Sequence, residues 1–217
     1  MDKKMFCFQC EQTVGCTGCT GNAGVCGKKA DTAKLQDELT GALISLAKAA
    51  DGTETISKRT GQIIIEGLFT TVTNVSFDNA AIENMIQKVR AEKERLVPNC
   101  RTEEYDLQQL WNANEDIRSL KSLILFGIRG MAAYAYHANV LNYEDAEVNR
   151  FFCEALSKIG YEESTEALLS TVLKTGEINL KCMALLDKAN TETYGTPEPT
   201  ECYTYGRKRA FYCRDRT

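Results

Sequence analysis

Apolar positions from residue 31 onward recur with a helical period. Leu35, Leu39, Ala42, Leu43, Leu46 and Ala50 share one face, with Asp31 or Thr32 placed to cap the start and Asp51-Gly52 to end it. The next segment, over 62–77, is ambiguous: Ile63-Ile64-Ile65 and Val72 to Val75 are strand-like in composition. A helix over 61–73 is preferred, because Ile64, Leu68, Thr71 and Val72 share a face and no partner strand appears. A third helix is predicted from Asn79, striped by Ile82, Met85, Ile86, Val89, Lys93 and Leu96, and stopped by Pro98.

A second helical set follows. The strongest prediction is a helix over 115–138, where Ile117, Leu120, Ile124, Phe126, Ile128, Met131 and Ala135 make it apolar on most sides and hence central. Gly127 and Gly130 inside it are expected to permit close helix contact. Shorter helices are predicted over 144–159, 163–176 and 178–189, with short connections that imply antiparallel neighbours. The fold class is all-α.

Residues 1–29 break this pattern. Of the ten cysteines in the 217 residues, Cys7, Cys10, Cys16, Cys19 and Cys26 fall together, interleaved with Gly15, Gly18, Gly21, Gly24 and Gly27. No export signal accompanies them, so a metal is favoured over disulfides. Glycines let a backbone wrap a compact group and turn its N–H groups inward, as an iron–sulfur cluster requires. Lys3, Lys4, Lys28 and Lys29 bracket the loop with positive charge. Spacing leaves two ligand sets open. Cys7, Cys10, Cys19 and Cys26 give C-x2-C-x8-C-x6-C, whereas Cys7, Cys10, Cys16 and Cys19 give two C-x2-C hooks suited to tetrahedral zinc.

Composition narrows the function classes. Apolar residues at 43%, charged residues at 26% and a net charge of −4 fit a globular protein and argue against nucleic acid or anionic membrane as the main partner. No 18-residue apolar run occurs, so a cytoplasmic location is expected, with low oxygen suited to exposed thiols. Cys100, Cys153 and Cys182 lie one per helical region and are expected to be buried thiols, and the sole histidine, His137, a packed core residue.

The loop's residues carry a resemblance. Phe6-Cys7-Phe8-Gln9-Cys10-Glu11-Gln12-Thr13, Thr17-Gly18-Cys19-Thr20 and Gly24-Val25-Cys26-Gly27-Lys28 are similar to the N-terminus of hybrid-cluster (prismane, hydroxylamine reductase) proteins. Further matches are Leu68 to Asp78, Gly130 to Ala138, Gly176 to Lys181 and Ala189 to Gly195. The resemblance implies the family's helical first domain, two three-helix bundles packed crosswise, here 30–98 and 99–195 behind the loop of 1–29. It also implies a [4Fe-4S] cluster on Cys7, Cys10, Cys19 and Cys26. Relatives with a longer second gap hold [2Fe-2S] instead, and zinc remains the alternative.

The six-residue final gap departs from the family pattern, and Cys16 has no family role. The family's hybrid cluster is held by later domains not matched here, so it is not expected in this chain, and no catalytic residue is assigned. The implied function is electron transfer within a protein that reduces hydroxylamine to ammonia, with a redox donor or acceptor protein and the family's C-terminal domains as partners. The alternatives are a structural zinc-binding domain or a non-functional gene fragment. From Cys202 the chain departs from the family, with five basic residues against one acidic. Residues 196–217 are therefore expected to be a disordered tail from a change of reading frame.

Overall fold

A computed structural model describes residues 5–10, 18–53, 55–72, 76–98, 103–198, 202–205 and 210–213. Among the described residues seven helices run in chain order: α1 (Ala30–Asp51), α2 (Lys58–Thr70), α3 (Asn79–Leu96), α4 (Gln108–Trp111), α5 (Glu115–Val140), α6 (Ala146–Gly160) and α7 (Thr165–Tyr194). The body of the protein is all-helical. Helix α1 packs on α2, α3 and α6, while α5 packs on α7, α2 and α6. One continuous apolar core joins the two sets, with Leu43, Leu46, Ile64, Ile128, Met131, Phe152 and Leu156 shielded from solvent. Among the described residues no helix is long and apolar enough to cross a membrane.

Side chains set most helix starts. Ser57, Asp78, Asn114, Asp145 and Ser164 each accept a first-turn backbone N–H, which fixes the beginnings of α2, α3, α5, α6 and α7. Helix α1 differs from expectation, because neither Asp31 nor Thr32 caps it. Its N-cap is Lys29, without a side-chain hydrogen bond, and both predicted caps lie within the first turn. Asp31 Oδ1 accepts the Thr32 N–H, and Thr32 Oγ1 donates to Asn79 Oδ1 at the start of α3. The ambiguous segment is helical as far as Thr70. The helix begins three residues before the predicted start because Ser57 caps it, and it ends at Thr70, short of the predicted Thr73, which lies outside the described residues.

The two short helices predicted over 163–176 and 178–189 are one. Helix α7 runs through Gly176 without a break to Gly195, whose φ of +88° ends it. A glycine costs a helix about 1 kcal/mol relative to alanine. Burial of Thr171, Thr175, Ile178 and Cys182 along the same helix outweighs that cost. The short α4 was not predicted, since four residues carry no period. Where the tail was expected to be disordered, Cys202–Tyr205 (β1) and Ala210–Cys213 (β2) pair antiparallel, with Cys202 opposite Cys213.

Candidate functional site

The cysteine loop folds back on itself. Cys7 and Cys19 form an isolated antiparallel bridge and exchange both backbone hydrogen bonds, Cys7 N–H to Cys19 O at 3.1 Å and the reverse at 2.8 Å. Such a pair holds its two Cα atoms about 5.5 Å apart, with side chains on one face. A second bridge, Ala23 with Lys29, and a tight turn closed by Gly27 N–H to Gly24 O carry Cys26 around the far end. Gly18 takes a φ of +83°, and a Cβ there would press on the Phe6 ring and the Cys7 carbonyl. The glycine immediately before Cys19 is thus required by both backbone and space.

Apolar contacts fix the loop to the helices. Met5, Cys7 and Ala33 make a small second core, joined by Cys19 and Ala30. On the outer side, Phe6 and Phe8 set their rings edge-on to Trp111 at 5.6 and 4.8 Å, and Phe8 stacks near Phe126. The unpredicted α4 therefore supplies the aromatic anchor of the loop.

A buried polar relay runs beneath it. Lys28, only 2% exposed, donates from Nζ to Gln9 Oε1 at 2.9 Å and stands 4.0 Å from Cys7 Sγ. Gln9 Nε2 in turn donates to Asp37 Oδ1 of α1 at 2.9 Å. Arg129 of α5, 5% exposed, donates to Thr71 Oγ1 and Thr40 Oγ1, both at 3.1 Å. Those threonines pass their own protons to helical carbonyls, of Leu68 and Gln36 respectively. Burial pushes the Cys7 thiol above its ordinary value, opposed by the Lys28 ammonium. Burial also raises Asp37 to about 6, opposed by the Gln9 hydrogen bond and by the charges of Arg129 and Lys28.

Cys7 and Cys19 are brought side by side. Cys10 and Cys26 are both half-buried in the same loop, and Cys26 lines a cavity of about 420 Å³ with Lys29, Asp31, Phe77 and Asn79. Among the described residues, no three Cys, His, Asp or Glu side chains converge as a metal-holding group. Cys16, on which the zinc set depends, and Cys100 lie outside the described residues.

The donor chemistry nevertheless suits an iron–sulfur group. Two predicted ligands are paired, and a glycine-lined turn bears a third. A Cβ at Gly24 would touch Cys26 Sγ at 3.5 Å and Met5 Cε at 3.3 Å, so the residue that keeps this turn compact is a glycine.

Cys153 and Cys182 are buried as expected, their Sγ atoms facing the carbonyls of Ala47 and Met131. Burial pushes these thiols up to about 12 and about 11. His137 is not a core residue. The buried face of α5 carries Ile128, Met131, Ala132, Ala135 and Ala138, which turns His137 outward, edge-on to Phe69 and Tyr136. Sequence reasoning missed Gln9, Asp37, Arg129 and Trp111. Arg129 alone carried a signal, as a charge between Ile128 and Gly130 in the most apolar helix.

Comparison with known proteins adds the family. Hydroxylamine reductase of Thermodesulfovibrio yellowstonii is 42% identical over 90% of this chain and 41% of its own length. Those of Porphyromonas gingivalis and Methanocaldococcus jannaschii are 41% and 39% identical, over 93% and 91% of this chain. The chain spans about two-fifths of the length of these relatives. The Prismane/CO dehydrogenase family model matches residues 5–209, so the aligned region takes in the loop from Met5 onward and the seven described helices, and the chain belongs to that family.

Proposed function

We propose that this chain is the iron–sulfur electron-transfer domain of a hydroxylamine-reductase-type protein, with Cys7, Cys10, Cys19 and Cys26 as ligands of a [4Fe-4S] cluster. The observation that carries the proposal is the Cys7–Cys19 bridge, which sets two of the four thiols side by side in a glycine-rich turn. The resemblance to the cubane-type members of the family, whose gap after the second cysteine is the shorter one, supports [4Fe-4S] over [2Fe-2S]. Binding requires the loop to draw Cys10 and Cys26 toward that pair. When bound, the cluster would supply one-electron transfer.

The chain's own residues do the rest. Met5, Ala30 and Ala33 keep water from the Cys7 side, Phe6 and Phe8 hold the loop on α4 and α5, and Lys28 places a positive charge beside the thiol. In the proposed domain, α1–α3 and α5–α7 are two three-helix bundles packed crosswise, and the electrons come from a redox protein in the cytoplasm. For the whole protein the proposed reaction is reduction of hydroxylamine by two electrons and two protons to ammonia and water. No substrate-reducing residue is proposed in this chain, and the hybrid cluster is not proposed here.

Anaerobic purification and iron–sulfide reconstitution test the reading. About four irons and four acid-labile sulfides per chain are expected, with a paramagnetic signal on dithionite reduction. Cys10→Ser and Cys26→Ser should lose the signal while Cys16→Ser keeps it. Colourless protein with one tightly held zinc, lost in Cys16→Ser, overturns the proposal.

A further inference from the structure

Lys28 and Arg129 are both at least nineteen-twentieths buried, and neither hydrogen-bonds a carboxylate among the described residues. Lys28 meets an amide oxygen and a sulfur, and Arg129 meets two hydroxyls. The carboxylate whose field reaches both is Asp37, linked to Lys28 through Gln9. Two buried cations against one carboxylate leave an excess positive charge, which a low-dielectric interior tolerates only next to an anion. Lys28 stands 4.0 Å from Cys7 Sγ, and the Arg129 charge interacts with that thiol at longer range.

We infer that Lys28 is a cationic seat for an anionic thiolate-ligated cluster, a positioning residue that raises the reduction potential while Asp37, tied to it through Gln9, lowers it, with Arg129 as a second buried cation in the same interior. This rests on the cluster proposed above. A cation 4.0 Å from a ligating sulfur stabilises the reduced, more negative state, and a nearby carboxylate opposes it. The Gln9 bridge ties the two effects to one site, because Gln9 accepts from Lys28 and donates to Asp37.

The test uses the full chain, reconstituted and titrated at pH 8, where Asp37 is ionised. Lys28→Met is expected to lower the reduction equilibrium at least tenfold, about 59 mV more negative for one electron. Lys28→Arg should restore most of that shift. Asp37→Asn, which keeps an acceptor for Gln9, should move the potential in the positive direction. Freed of its unpaired buried cation, cluster-free Lys28→Met should melt no lower than cluster-free wild type.

Should Lys28→Met retain no iron, the sign of the Asp37→Asn shift decides. An unchanged potential in both variants, or an equal fall in Lys28→Arg and Lys28→Met, overturns the seat while leaving the cluster assignment intact. Wild-type chain that takes up no iron overturns the cluster assignment itself, and the seat with it.

Discussion

Glycines in helix interiors offer a sharp test of which contacts the fold depends on. Gly41 lies in the middle of α1, and a Cβ built there would overlap the backbone carbonyl oxygen of Tyr105. That carbonyl is not free to retreat. The Tyr105 N–H donates to Ser45 Oγ, one turn further along α1, at 2.9 Å, so the residue that carries the carbonyl is itself tied to the helix. Gly41→Ala gains about 1 kcal/mol of helix propensity. It loses roughly 1–3 kcal/mol to overpacking and about 1 kcal/mol more if the Ser45 bond breaks. A net destabilisation of about 1–3 kcal/mol is expected.

Gly176 provides the matched control. It sits inside α7 with nothing within 4 Å of a built Cβ, so Gly176→Ala should stabilise by about 0.5–1 kcal/mol. Urea unfolding followed by far-ultraviolet circular dichroism, on the two variants and wild type under one set of conditions, reads both signs. A Gly41→Ala protein as stable as wild type would mean that the Tyr105 segment does not seat on α1. A destabilised Gly176→Ala would mean that α7 is not continuous.

Three further outcomes follow from the side-chain contacts. Glu92 is fully buried and bonded to Arg95, Arg59 and Thr60, and these hold its carboxyl down at about 2. A depressed carboxylate stabilises above its unfolded value near 4.5, so this contribution should vanish as pH falls from there toward 2. Glu92→Gln should flatten that part of the acid-unfolding curve and cost about 1–3 kcal/mol at neutral pH. Cys153 and Cys182, neutral at pH 8 and enclosed, should be alkylated by iodoacetamide only as the protein unfolds, as read by mass spectrometry. Early labelling of either would contradict its burial. Trp111→Ala removes both aromatic anchors, worth about 0.5–1.5 kcal/mol each, and should speed hydrogen exchange at the Cys7 and Cys19 amides. Unchanged exchange would show that the loop does not lean on α4.

The helical body was legible because it rests on local period. Stripes such as Ile82, Met85, Ile86 and Val89 lie on the buried side of α3, whereas the caps Ser57, Asp78, Asn114, Asp145 and Ser164 were not read from the sequence and the one cap that was, at Asp31 or Thr32, is not one. Period fails where tertiary contact decides. Gly176 reads as a stop, yet the neighbouring burial against α5 carries the helix through it. Gly127 and Gly130 read alike, but a Cβ at Gly127 would strike Thr175 Cγ2 while Gly130 faces open space. His137 was misjudged because an apolar neighbourhood in sequence says little about which face a single position takes. The site's cysteines announced themselves by density. Its supporting relay did not, because Gln9, Asp37 and Arg129 are far apart in sequence and each is ordinary alone.

That relay explains why a glycine-rich loop comes attached to a helical body of this size. Ordering a residue's backbone costs about 1–2 kcal/mol, and glycine loses the most freedom. Among the described residues the loop's own contacts are a few backbone hydrogen bonds and the small core of Met5 and Cys7 against Ala33 of α1, too little to offset that cost alone. The helices supply the difference from three directions. Helix α1 presents Asp37 to Gln9, α4 presents Trp111 to Phe6 and Phe8, and α5 presents Phe126 to Phe8 and carries Arg129, whose charge reaches Cys7. Arg129 is held by Thr40 of α1 and by Thr71 just beyond α2, so the relative placement of three helices sets where that charge lies. The packing of the helical core is therefore not separate from the thiol site: a shift of α5 against α1 and α2 would move a buried cation whose charge reaches Cys7, and with it the electrostatic setting of any group the thiols bind.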